Sequence, residues 1–180
     1  MKKAVLLSLF GAFIAFAPTA HAQVTYDANK VTCADYAAMD PDTARAFSAW
    51  VSGWFNQQAG STVLNVDGYR ANVASVTGWC AKNPNQLIMA ALKVSAENAK
   101  PGLGGPTSID GSLITCGEFL KSDGETQELV GSWMGGWFMS TKNLTVIDPR
   151  YVKRNAGVVA KACKKSPKTK LMTILQRNWK

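Results

Sequence analysis

Val31-Thr32-Cys33-Ala34-Asp35-Tyr36 returns, 83 residues later, as Ile114-Thr115-Cys116-Gly117-Glu118-Phe119. In both, a threonine stands three places before a carboxylate, the capping-box pattern in which hydroxyl and carboxylate satisfy the free amides at a helix start. Working outward, the next cysteine lies 47 residues on in each case, Cys80 after Cys33 and Cys163 after Cys116. The same shift carries Trp50-Val51-Ser52-Gly53-Trp54-Phe55 onto Trp133-Met134-Gly135-Gly136-Trp137-Phe138, Pro84 onto Pro167, Met89 onto Met172 and Leu92 onto Leu175. The chain is an ungapped internal duplication.

Four cysteines allow three pairings, and a duplicated unit favours one bridge per copy, Cys33–Cys80 and Cys116–Cys163. Each copy reads as four short helices, which makes the protein all-α: two tandem helical units, each pinned by one disulfide. After the capping box comes a short first helix. Asp40-Pro41 places an N-cap and a first-turn proline before a second helix running to about Gln58. Its counterpart runs from near Ser122 to about Thr141. A third helix begins near Asp67, or at Asp148-Pro149, and ends at the second cysteine; Asn83-Pro84 and Ser166-Pro167 then open a fourth. Each bridge would tie the start of the first helix to the end of the third, pinning a small core. The units span 31–97 and 113–180, joined by a connector at 98–112. Within it, Lys100-Pro101-Gly102-Leu103-Gly104-Gly105-Pro106 suits neither helix nor strand.

The N-terminus carries a separate signal. Met1-Lys2-Lys3 is positive, Ala4 to Ala17 is apolar apart from Ser8, and Ala20-His21-Ala22 has the small-x-small pattern of a signal-peptidase site. Residues 1–22 therefore read as a cleaved secretory signal, too short for a membrane span, and the protein as soluble and exported. Even cysteine usage fits an oxidising compartment. The single histidine, His21, leaves with the signal, which removes the commonest catalytic triads, most zinc sites and any imidazole pH switch.

The cysteine flanks carry a family resemblance. Val31 to Tyr36, the Trp50-to-Phe55 segment and Trp79-Cys80-Ala81-Lys82-Asn83-Pro84 resemble the HdeA/HdeB family of periplasmic acid-stress chaperones, and the second copy repeats the pattern as Ile114 to Phe119 and Ala162-Cys163-Lys164-Lys165-Ser166-Pro167. The resemblance implies a small disulfide-pinned helical fold in the periplasm. It also implies an ATP-independent holdase that binds unfolded or acid-damaged periplasmic proteins at low pH. Members are usually single units that dimerise; here two are fused, and an internal pseudo-dimer is one arrangement open to them.

Two candidate surfaces stand out. On helices, Phe47, Trp50, Trp54 and Phe55 fall on one side, as do Trp133, Met134, Trp137 and Phe138. Core packing explains such a stripe most simply; the functional reading is a client-binding or partner-binding face shared between the copies. Gly53 and Gly136 weaken a helix, yet would let another helix approach closely. The second surface is basic. Residues 23–100 balance six cations with six carboxylates, whereas 101–180 carry twelve against six, with Lys161, Lys164, Lys165, Lys168 and Lys170 clustered. A solvated helix face is the plain explanation; an anionic envelope surface or an acidic partner is the functional one. Export argues against nucleic acid.

An exported enzyme has only weak support, and no cofactor or metal is expected. Asp40, Asp42, Asp67, Asp123, Glu125 and Asp148 sit mostly at helix starts, where carboxylates complement the dipole. No alternating run of carboxylates resembles a calcium loop. The alternative to a chaperone is an exported, non-catalytic module that binds one envelope protein or toxin.

Overall fold

The computed structural model describes residues 25–98 and 107–178, so the signal-peptide assignment and the Pro/Gly-rich run to Pro106 lie outside the described residues. Among the described residues, eight helices are joined by four very short strands. In the first copy β1 (Tyr26–Asp27) precedes α1 (Cys33–Ala37), α2 (Pro41–Gln58), β2 (Val63–Asn65), α3 (Val66–Cys80) and α4 (Ile88–Asn98). The second copy repeats that order as β3 (Ser108–Asp110), α5 (Cys116–Lys121), α6 (Gly124–Ser140), β4 (Val146–Ile147), α7 (Pro149–Lys165) and α8 (Leu171–Asn178). The all-α class holds, with two small sheets added to it. No described helix is long and apolar enough to cross a membrane.

Local chemistry sets the helix starts. Both capping boxes form: Thr32 and Thr115 accept from the amides of Asp35 and Glu118, whose carboxylates accept from the threonine amides in return. Asp40, Asp123 and Asp148 cap α2, α6 and α7. At α3 the cap is Asn65, which accepts from the Gly68 amide, and Asp67 instead accepts from the Thr107 hydroxyl.

One expectation fails twice in the same way. Asn83-Pro84 and Ser166-Pro167 do not open the fourth helices, which begin at Ile88 and Leu171. The carbonyls of Pro84 and Gln86 accept from the Ala34 and Cys33 amides at 2.9 and 2.8 Å, and those of Pro167 and Thr169 from Gly117 and Cys116 at 2.7 and 2.8 Å. Each proline turn thus satisfies free donors at a helix start elsewhere in its copy, a demand that outweighs its own capping pattern. Beside these turns lie the disulfides Cys33–Cys80 and Cys116–Cys163, each joining the first helix of a copy to the end of its third.

The sheets do not respect the copies. β1 pairs antiparallel with β4, Tyr26 opposite Ile147, and β2 pairs with β3, Leu64 opposite Ile109. Under the 83-residue shift Tyr26 corresponds to Ile109 and Leu64 to Ile147, so the two pairings are one arrangement made reciprocally. Ser108 to Asp110, read from sequence as connector, is therefore a strand. The cores interleave likewise: Leu64 is buried in the second copy's core, while Ile147 and Met139 pack against that of the first.

Candidate functional site at the seam between the copies

Helices α2 and α6 cross with their backbones touching. A Cβ on Gly53 would lie 1.8 Å from the Trp133 carbonyl oxygen, and one on Gly136 would lie 1.7 Å from that of Trp50. These residues are related by the duplication, Trp50 to Trp133 and Gly53 to Gly136, so each tryptophan's backbone rests on the other copy's glycine. Each of these contacts is therefore matched by its duplication-related counterpart. At one end of the crossing Gln57 Oε1 accepts from the Ser140 hydroxyl at 2.9 Å, and these two positions are also equivalent under the shift.

The aromatic stripe runs through this crossing. Phe47, Trp50, Trp133, Met134 and Phe138 are buried, Trp133 and Met134 almost completely at 1% and 0% exposure. Trp54, Phe55 and Trp137 are half-buried at its margin. Trp54 donates its indole N–H to the Leu144 carbonyl at 3.2 Å, and Trp137 donates to Ser61 at 3.0 Å, again equivalent bonds between copies. Trp137 and Phe138 also line an open groove with Thr62 of the first copy and Met172 of α8. Trp54→Phe and Trp137→Phe should each lower stability by about 1 kcal/mol, the usual net worth of one hydrogen bond, measured by denaturant unfolding.

A second tier of the seam is acidic and went unnoticed in the sequence. Asp27 accepts from the Thr145 hydroxyl at 3.0 Å, and Asp110 from that of Thr62 at 3.1 Å. The Ala28 and Gly111 amides donate to the Thr145 and Thr62 carbonyls at 2.9 and 2.8 Å. Burial pushes the Asp27 carboxyl up, but hydrogen bonds from Thr145, Asn29 and Lys30 together hold it below the usual range. Asp110 is lowered chiefly by the Ser112 hydroxyl, against desolvation, with Thr62 contributing. Asp27/Asp110 and Thr62/Thr145 are identical pairs at the 83-residue spacing, a signal carried by the repeat and by no local motif. The carboxylates at helix starts, Asp35, Asp40, Glu118, Asp123 and Asp148, are lowered as well, in each case mainly by a neighbouring side chain or amide that donates to the charged form.

The clustered lysines lie on α7 and in the segment that follows it. Lys161, Lys164 and Lys165 are exposed on α7 and Lys168 lies in the turn that follows. Lys170 turns back to donate to the Leu113 carbonyl and sits near Asp110 and Glu118.

A family model described as the HdeA/HdeB family matches residues 2–90 and again residues 86–173. No curated protein and no solved structure matches the chain.

Proposed function

We propose, given that the chain belongs to the HdeA/HdeB family in each of its two copies, that it is an ATP-independent holdase of the periplasm whose copies form an internal pseudo-dimer. In this reading residues 1–22 export the protein and each unit begins at its pairing strand, β1 or β3. Acid opens the seam, and the aromatic side chains there capture unfolding clients. Phe47, Trp50, Trp54 and Phe55, with Trp133, Met134, Trp137 and Phe138, are the client-binding residues, and no catalysis or cofactor is involved.

The observation that carries this reading is the reciprocal seam itself. Its apolar contents are covered by a second copy of the same surface, and its rim is held by carboxylates. Those carboxylates have folded-state pKa values lowered from the ordinary range. Their stabilisation is therefore complete above the unfolded-state value near 4 and is lost as pH falls through the lower folded-state value. Opening should begin below about pH 4, well under the range near 6.5 where an imidazole switch would act. Excluding residues 1–22, full protonation takes the formal side-chain charge from +6 to +18, adding self-repulsion.

The deciding experiment titrates hydrophobic-dye binding and client aggregation together from pH 7 to pH 2. Protection should appear only in acid, in step with dye binding. Equal protection at pH 7, or no apolar surface by pH 2, would sink the chaperone reading in favour of a module for one dedicated partner. A sharper check is the pair Asp27→Asn and Asp110→Asn, which mimics protonation at the rim. Stability at pH 7 should fall, behaviour at pH 2 should stay as in the parent, and the slope of stability against pH below 4 should flatten.

A further inference from the structure

The two copies provide an internal control on which surface features the fold requires. α3 and α7 are equivalent elements, yet their exposed faces have diverged. Under the 83-residue shift Asp67 becomes Arg150, Ala71 becomes Arg154, Gly78 becomes Lys161 and Ala81 becomes Lys164, and all eight positions are exposed. The first copy folds with neutral or acidic residues at these four sites, so these four cations of the second are not there for folding, whereas Lys153 and Lys165 match Arg70 and Lys82.

Their arrangement is ordered. At 100° per residue, Arg150, Lys153, Arg154, Lys161, Lys164 and Lys165 fall within an arc of roughly 120° along a helix about 26 Å long. Gly157 is the one other residue in that arc, and α7 contains no carboxylate. Arg150 pairs with Asp148, its N-cap. The other five have no ion-pair partner among the described residues; Arg154 instead lies 4.6 Å over the Tyr151 ring. Tyr151 and Val158 border the arc, 52% and 42% exposed, where the first copy has Gly68 and Ser75. The opposite face, Asn155, Val159 and Cys163, is buried in the core.

From this we propose that α7 is a docking face for an anionic lipid surface, held by headgroup phosphates, with Tyr151 and Val158 seated among the headgroups. A lipid surface fits better than a protein partner. The charge lies in two clusters of three, Arg150 to Arg154 and Lys161 to Lys165, along one exposed face of the helix, which suits a planar array of phosphates. Because the apolar face of α7 is committed to the core, binding is electrostatic and not by insertion. The second copy would tether the protein to a membrane while the seam remains free to open, and this role does not depend on the chaperone reading.

The test is co-sedimentation of the full protein at pH 7 with vesicles of phosphatidylcholine alone or mixed with phosphatidylglycerol. Binding should require the anionic lipid and fall steeply with added salt. The variant carrying Arg154→Ala, Lys161→Ala, Lys164→Ala and Lys165→Ala should bind at least about a hundredfold more weakly, since each cation near such a surface contributes roughly fivefold. A control removing four exposed cations elsewhere, Arg70→Ala, Lys82→Ala, Lys93→Ala and Lys121→Ala, should bind within about threefold of the parent. Thermal unfolding checks that both variants fold. No preference for anionic vesicles, or equal loss in the two variants, overturns the proposal.

Discussion

Gly53→Ala is expected to hold the seam open at pH 7, and Gly136→Ala to do the same. In each case the new methyl carbon would lie under 2 Å from a carbonyl oxygen and 2.7 Å from the carbonyl carbon behind it. Normal contact is about 3.5 Å, and the obstacle is backbone, so no rotamer change relieves it. The helices must separate by more than about an ångström along the whole crossing. Overpacking a core costs about 1–3 kcal/mol where side chains can shift; here the loss should exceed that range. Alanine also raises intrinsic helix propensity by about 1 kcal/mol over glycine, a smaller effect of opposite sign. Circular dichroism should therefore report intact helices while hydrophobic dye binds at neutral pH. If the aromatic seam is the client surface, these variants should also protect clients at pH 7. Unchanged thermal stability with no dye binding would refute the close crossing.

Loss of either disulfide should rank with it. Each bridge closes a 47-residue separation, for which loop entropy gives about 4 kcal/mol at 25 °C. Whole domains are commonly stable by only about 5–15 kcal/mol, so Cys33→Ser with Cys80→Ser should remove a large share of the total. Leu64 fills the second copy's core and Ile147 packs against that of the first, and the damage should spread: both copies should melt in one lowered transition, not in two. In acid the parent should keep helical signal while the variant becomes a random coil. Peptide mapping without reductant should recover Cys33 with Cys80 and Cys116 with Cys163; a bridge between copies would break this picture.

What could be read from sequence divides along a physical line. The starts of α2 and α7 were legible because Asp40-Pro41 and Asp148-Pro149 act within one turn. The disulfides were legible because the duplication constrains them. The strands were not, since two or three residues are too few for an alternating pattern and their partners lie in the other copy. Pro84 and Pro167 misled because the use of their carbonyls is tertiary. The spacing of Trp50, Trp54, Trp133 and Trp137 showed that they share a side. It could not show that the side faces another copy, nor which helix Gly53 and Gly136 admit. Asp27 and Asp110 have no local motif at all, and only the repeat spacing connects them.

The reciprocal strands also bear on kinetics. Each copy needs a segment of the other to complete its sheet and core, as two separate subunits would, but here both lie on one chain. A short tether holds such partners at an effective concentration on the order of millimolar. If acid opens the seam as proposed, reclosure on its withdrawal becomes a first-order event whose rate does not change with dilution. The pH of opening should likewise be independent of protein concentration, whereas mass action would make an untethered pair easier to separate as it became scarcer. A seam tethered in this way can open and reclose at copy numbers too low to sustain a dimer.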